Sequence, residues 1–513
     1  MTTVPSLPAA LSNNAAFGAV AAIALFCYVV QHRLRARGRP PNFPGPRPLP
    51  FLGNVLQMPK ENWSPALHKL GLPYGPIYSL SLFGRPLLVV SSTEAARELF
   101  EAKSTLYTNR PLPKMAELSG FDTGVVLQHD THRWRAGRKL MHRVLQPREM
   151  PRWREAEEHH LRTLLLNLLN NPDDFASHTR HVSTGLSLEI AYGYRVKTQH
   201  DEFVERSDVS LANFGDAFLI QHMVDWFPSL ATLPRWLPGM GFMKKAEEYK
   251  KQYFQLVDDG LDMVKRGMAN GTAKFSLGSI TLAESEKEKT PEDLIKFNAS
   301  EVFIGGGDSL ASLLQSLIYF MITHRDWQAR AFAEIRAVVG TGAGRLPALT
   351  DRERLPVVGA IIAEVARLRP PVSMFYRVAA EDDVHRGHFI AKNTIIFANI
   401  WAMLRDDSVY LQPHDFVPGR WLKPEAPSTK VVYDTLFGFG RRYCPGRLIG
   451  EEMLFLSASR ILALFEMSYA RDVHGKEIIP SGAMTRGGIS RPELFPCTIS
   501  PRQPGTADII NAF

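Results

Sequence analysis

Cysteine is scarce in this chain: Cys27, Cys444 and Cys497 are the only ones in 513 residues. Three well-separated cysteines make neither a disulfide framework nor a cysteine-rich zinc site. They suit a reducing compartment, where a lone cysteine can serve as ligand or nucleophile. Internal repeats and long low-complexity tracts are missing, which sets aside solenoids and wholesale disorder. No dense Lys/Arg run interleaved with aromatics occurs either. The formal net charge of +8 therefore points to a membrane surface or an acidic protein, with no nucleic acid partner. Only one apolar run approaches the length of a membrane span.

That run lies at the start. Residues 1–31 carry no charged side chain, and residues 15–30 read AAFGAVAAIALFCYVV without interruption. His32, Arg33, Arg35, Arg37 and Arg39 follow at once. A cleaved signal would carry its positive charges before the apolar run. The order here predicts a signal anchor over 1–31 that spans the bilayer once, with the rest of the chain cytosolic. Residues 32–54 then form a basic and proline-rich hinge. Six prolines fall within 40–54, too many for helix or central strand. The body is expected over 55–503, with a short tail at 504–513.

Hydrophobic residues make up 45% of the chain and charged residues 22%, the balance of a globular body with a sizeable core. Residues 77–90 read as two short strands around a Gly-Arg-Pro turn. Helical spacing follows over 154–169 and 247–263, and the polar stretch 270–289 reads as a loop. Thr290-Pro-Glu-Asp293 signals a helix start, with a capping hydroxyl, Pro at the first helical position and acids in the first turn. Apolar residues then continue to about 322, so one helix of roughly 50 Å is expected to cross the body. Gly305, Gly306 and Gly307 sit near its middle, each costing about 1 kcal/mol against Ala. Close approach of a flat ligand would offset that cost. Further helices are expected over 327–339, 357–368 and 447–465, and strands near 375–378 and 394–398. The sum is mainly α with a minor β-sheet region.

The chemistry concentrates in residues 437–446, FGFGRRYCPG, which end a polar loop and open a helix. Gly440 and Gly446 allow a tight turn around Cys444. Backbone N–H groups and the helix N-terminus then favour its thiolate, a strong donor to iron. The plainer alternative for a lone cysteine is a small buried apolar residue. Four other strings stand in a definite order. Trp134 and Arg138 lie one turn apart, and so do Glu364 and Arg367. Arg420 lies in Phe-Val-Pro-Gly-Arg-Trp. Asp308 and Ser309 close the Gly-Gly-Gly-Asp-Ser string of the long helix, an acid and a hydroxyl side by side.

These strings resemble the cytochrome P450 family, whose heme loop reads Phe-x-x-Gly-x-Arg-x-Cys-x-Gly. Phe437, Gly440, Arg442, Cys444 and Gly446 fill every fixed position. The likeness spans roughly residues 40–503. It is similar to the fungal microsomal type, near the O-methylsterigmatocystin oxidoreductases and other secondary-metabolite hydroxylases. The resemblance implies the P450 fold, with the long helix over heme b and Cys444 as the iron's proximal ligand. Trp134, Arg138, Arg377 and Arg442 would meet the heme propionates, with Phe437 also in contact with the cofactor. Tyr376 stands where many relatives carry His. Glu364, Arg367 and Arg420 would form a buried network bracing the heme loop, with Gly419 where Glu is common. Asp308 and Ser309 would pass protons to reacting dioxygen, Ser309 replacing the usual Thr and losing the methyl that limits its rotamers.

The same resemblance implies NADPH and O2 as co-substrates, with electrons from NADPH–cytochrome P450 reductase and cytochrome b5 as a candidate second donor. Arg135, Lys139, Arg143, Arg441 and Arg447 would form a basic docking face. The expected place is the endoplasmic reticulum membrane. Asn62, Asn270 and Asn298 begin Asn-x-Ser/Thr sequons that the cytosolic side would leave unmodified. Substrate contacts are expected from residues 111–129, 303–309, 372–375 and 485–489. Their apolar character favours an apolar molecule, a terpenoid or polyketide intermediate, with fatty acids and xenobiotics still open. Two rivals stay open: a heme-thiolate isomerase or dehydratase without reductase, and a non-catalytic membrane-bound heme or lipid binder.

Overall fold

The computed structural model describes residues 38–196, 201–340 and 345–513. The expected anchor over 1–31 and Cys27 lie outside these. Among the described residues no helix is long and apolar enough to cross a membrane.

The body is mainly helical, with small sheets to one side. β1 (Ile77–Leu82) and β2 (Arg85–Val90) form the expected hairpin. β3 (Phe375–Val378), a small hairpin of β4 (Asp383–His385) and β5 (His388–Ile390), and β6 (Ile395–Ala398) follow much later. The main sheet has the order β1-β2-β6-β3. β2 pairs β6 in parallel, and Arg377 of β3 stands opposite Ile396. The proline segment runs along β1 of this sheet and along β5 of the small hairpin. Prolines lack an N–H, so its carbonyls do the pairing: Ser79 donates to Pro44 at 2.8 Å and Phe389 to Pro41 at 2.9 Å.

Helices α1 (His132–Leu145), α2 (Met150–Asn170), α3 (Phe175–Tyr192), α4 (Glu202–Phe218) and α5 (Gly241–Ala269) build one flank. The Thr131 hydroxyl accepts from the Trp134 N–H and so sets the start of α1. Residues 270–289 are not the loop their polarity predicts. Ser276 and Ser279 form a capping box that opens α6 (Leu277–Glu288). Leu277, Gly278 and Thr281 are its buried residues, too few to register as an apolar stripe.

The long central helix is present but broken. α7 (Glu292–Gly306) and α8 (Ser309–Thr323) meet at Gly307 and Asp308. Pro291 occupies the cap position in extended conformation, so the Thr290 hydroxyl does not cap. Nearly all of α8 is buried, as befits a helix at the centre of a core. The three glycines have different work. A Cβ on Gly306 would lie 2.2 Å from the Ser187 hydroxyl of α3, and one on Gly307 would lie 2.7 Å from Leu211 of α4. These two allow helix-to-helix contact. Gly305 alone faces open space.

α9 (Arg325–Val339), α10 (Pro356–Leu368) and α11 (Arg447–Leu464) complete the other flank, close to the predicted bounds. β7 (Phe465–Tyr469) and β8 (Cys497–Pro501) pair near the end.

Candidate active site

Cys444 sits in a loop closed on itself. Its N–H donates to the Phe437 carbonyl at 3.0 Å, and Gly446 caps α11 just beyond. Gly440 has φ +60°, and a Cβ there would lie 1.9 Å from the Phe100 carbonyl oxygen, so the loop can pack here only with glycine. The Phe437 ring lies against α11 near Gly450, and its neighbour Phe439 is the buried aromatic, set between Phe100 and Phe375. Cys444 is half-buried. Burial pushes its thiol up, while the Gly446 N–H and the charges of Arg138 and Arg447 pull it down. The Gly446 N–H favours the thiolate as expected, but burial outweighs it in the iron-free chain. Iron binding would supply the missing drive.

Beside the loop lies a cluster of buried cations. Arg442 donates to the carbonyls of Thr108 at 2.9 Å and Val125 at 3.0 Å, and to that of Gln128. Its guanidinium carbon lies 4.2 Å from the Trp134 ring centroid. Arg138 donates to the Tyr443 carbonyl at 2.6 Å, next to Cys444. Arg377 is 2% exposed and stacks on Phe375 at 4.3 Å. Tyr376 points to the other face of β3, against Phe397 and Phe218. A fourth member, Arg110, was not anticipated, and its buried Nε has no partner.

Burial lowers all four from the ordinary arginine value, Arg442 to about 8 and Arg110 to about 10, and neighbouring arginines add repulsion at Arg377, Arg442 and Arg110. Arginine does not shed its proton in a protein, so this tension calls for an anion. The nearby acid is Glu301 of α7, also missed from sequence. Burial pushes its carboxyl up to about 8, and it accepts from the Val126 N–H at 3.3 Å. One protonated carboxyl does not balance four cations. The two propionates of a heme would.

Glu364, Arg367 and Arg420 come together in one network. Glu364 and Arg367 are fully buried and pair at 2.8 and 2.9 Å. Arg420 donates to Glu364 at 3.0 Å, and the Trp421 indole adds a bond at 2.9 Å. Arg367 also donates to the carbonyls of Leu404, Pro413 and Asp415, tying down the segment that leads to the loop. Gly419 leaves this set complete.

On the helix side, Glu301, Gly305 and Ser309 follow at steps of four and so share one face. Glu301 places that face toward the arginines. Ser309 donates to the Gly305 carbonyl at 3.2 Å across the helix break. Asp308 is turned elsewhere, with Oδ1 at 3.3 Å from Arg491 and 3.5 Å from Arg180.

A cavity of about 850 Å³ is lined by Tyr376, next to Arg377, and by Ser490, next to Arg491, but by neither Cys444 nor the four arginines. Two of the four expected substrate regions line it, through Ser373 and Met374 and through Thr485 to Gly488; residues 111–129 and 303–309 do not. The expected docking face is less basic than its sequence. Arg143 pairs with Glu284 and Glu288, Arg441 with Asp130, and Arg447 with Asp434 and Glu451. Arg135 also pairs with Asp130 but is exposed, as is Lys139. Of the sequons, Asn298 is buried within α7.

A cysteine loop, an edge of unbalanced arginines and a glycine-opened helix face define a heme-thiolate site. The family model "Cytochrome P450" matches residues 43–491, and the chain belongs to that family. It is 32% identical to cytochrome P450 monooxygenase COX2 of Coprinopsis cinerea, covering 98% of this chain and 96% of the relative. It is 35% identical to cytochrome P450 monooxygenase 208 of Postia placenta, with 96% of each covered. Among solved structures, a zebra fish cytochrome P450 with abiraterone matches with TM-score 0.69 at 22% identity, over 86% of this chain and 100% of that one, which shows the shared fold. The chain is a P450 monooxygenase, and heme is its cofactor.

Proposed function

We propose that the enzyme inserts one oxygen atom from O2 into an apolar small molecule, a terpenoid or polyketide intermediate of fungal secondary metabolism. The observation that carries this reading is the pairing of Cys444 with the cluster of Arg110, Arg138, Arg377 and Arg442. Heme held there supplies the binding and reductive activation of dioxygen. Cys444 serves as the iron's protein ligand, kept at its post by the Phe437 carbonyl and the Gly446 N–H. Arg110, Arg138, Arg377 and Arg442 hold the propionates, and Trp134 keeps Arg442 flat against its ring. Ser309 and Asp308 move protons at the far side, the carboxylate taking each from solvent water and handing it on to the hydroxyl as carrier. Gly305 leaves room there for dioxygen and substrate. The similarity to fungal cytochrome P450 monooxygenases such as claR of Ampulloclitocybe clavipes, 33% identical over 91% of this chain, supports the monooxygenase part of this reading.

Electrons come from NADPH through a membrane-bound reductase, docked over Arg135 and Lys139 on α1. The catalytic body is cytosolic at the endoplasmic reticulum membrane. Two exposed apolar groups support a membrane-facing side: Leu49, Phe51 and Leu52 at the end of the hinge with Leu56 just after it, and Met223, Phe227, Leu233 and Trp236. Phe83 joins them, donating its N–H to Leu52 at 3.2 Å and meeting the Phe227 ring at 4.8 Å.

The test is co-expression with a reductase, feeding of terpene and polyketide intermediates, and product analysis under labelled dioxygen. One labelled atom per product is expected. Product formed without NADPH or dioxygen would establish an isomerase or dehydratase instead.

A further inference from the structure

Residues 484–492 form a closed loop. Thr485 and Arg491 exchange backbone and side-chain bonds at 2.7 and 3.1 Å, and Met484 bridges Pro492. The tip lines the 850 Å³ cavity through Met484 to Gly488 and Ser490. The base reaches α8 twice. Ser312 donates to the Ser490 carbonyl at 2.6 Å, and Arg491 pairs with Asp308, one turn before Ser312. One short loop thus touches both the substrate-side cavity and the acid of the proton relay.

The remaining charges around Asp308 come from two helices. Arg180 of α3 approaches it at 3.5 Å and binds Asp208 of α4 at 2.8 Å. The Nε of Arg180 is buried and makes no hydrogen bond. Asp208 accepts from Thr184 at 3.3 Å, and burial raises its carboxyl. Both arginines engage the same oxygen, Oδ1 of Asp308. To serve the Ser309 hydroxyl, the carboxylate has to rotate out of that grip. Arg180 is fixed on a helix flank, whereas Arg491 is carried by the loop.

The geometry points to Arg491 as a positioning residue, a latch by which the substrate-facing loop sets whether Asp308 can supply protons to Ser309. An apolar substrate that presses the loop tip draws Arg491 from Asp308. Without substrate the latch stays closed, and reduced oxygen chemistry is not fed with protons. This rests on the relay reading of Asp308 and Ser309.

Three variants of the full-length holoenzyme test it. Arg491→Gln opens the latch directly. Gly488→Leu acts from the tip, because a Cβ at Gly488 already stands 3.7 Å from Phe218 and a larger side chain pushes the tip away. Arg180→Gln loosens Asp308 without touching the loop. Substrate-free NADPH consumption with peroxide release (NADPH + H⁺ + O2 giving NADP⁺ + H2O2) should rise up to about fivefold in Arg491→Gln, the range of one partly exposed ion pair. Gly488→Leu should match it, the double variant should add nothing further, and Arg491→Lys should restore restraint. Hydrogen exchange read at 484–492 should rise in Arg491→Gln and in Asp308→Asn, but not in Arg180→Gln. Full additivity of Gly488→Leu and Arg491→Gln, or unchanged loop exchange in Asp308→Asn, would overturn the latch. If Ser309→Ala leaves product per NADPH intact, the relay reading falls and takes the latch with it, even where the loop responds as described.

Discussion

Arg110 has no carboxylate partner in hydrogen-bonding contact, and its buried Nε bonds to nothing. A lone buried cation of this kind destabilises the chain until an anion arrives. Arg110→Met should therefore raise the melting temperature of the heme-free protein while weakening heme binding about tenfold or more, the worth of a charge-assisted bond. Melting curves and heme titration read the two opposite signs. Glu301 makes a pH prediction. Its carboxyl is raised from 4.5 to about 8 by burial. Between those values the folded heme-free chain keeps a proton that the unfolded chain releases, so this group lowers stability as pH rises through the window. Glu301→Gln removes the titration, and its melting temperature should gain on the natural protein from pH 5 to pH 8. An unchanged difference would show that Glu301 is ionised in the fold. These two residues were not legible in the sequence. Arg110 precedes a proline in an irregular loop, and Glu301 reads as one acid in an apolar run. Trp134, Arg138, Cys444 and the Glu364–Arg367–Arg420 set were legible because their spacing belongs to a known pattern.

At the scale of elements, β1, β2, β3, β6, α9, α10 and α11 follow from the periodicity of their residues, whereas the short pairs β4–β5 and β7–β8 do not. The break in the central helix does not. Apolar periodicity continues through 305–309, and only the packing of α3 and α4 against Gly306 and Gly307 reveals which glycines are spacers. α6 was hidden by its own polarity, since its start is set by two serines. The division of labour among the glycines is testable. Gly306→Ala forces a Cβ to 2.2 Å from the Ser187 hydroxyl and should cost about 1–3 kcal/mol. Gly305→Ala meets nothing and should gain up to about 1 kcal/mol from helix propensity while narrowing the space over the heme. Thermal melting separates the pair. Equal effects would contradict the assignment.

For the whole molecule, charge and apolar surface set the expected partners. The formal charge of +8 is spread, and most arginines of the proposed docking face already have acidic partners. Docking should then depend on Arg135 and Lys139 more than on their neighbours. A tenfold rise in ionic strength shortens the screening length about threefold, and reductase-driven heme reduction should slow severalfold with it. A rate indifferent to salt would argue against an electrostatic dock. The central claim, that Cys444 is the thiolate ligand of the heme iron, meets its most direct test in the carbon-monoxide difference spectrum of the reduced full-length protein. The account predicts the long-wavelength band of thiolate-ligated heme in the natural protein and its loss in Cys444→His. The same band surviving in Cys444→His, or its absence from the natural holoprotein, would contradict it.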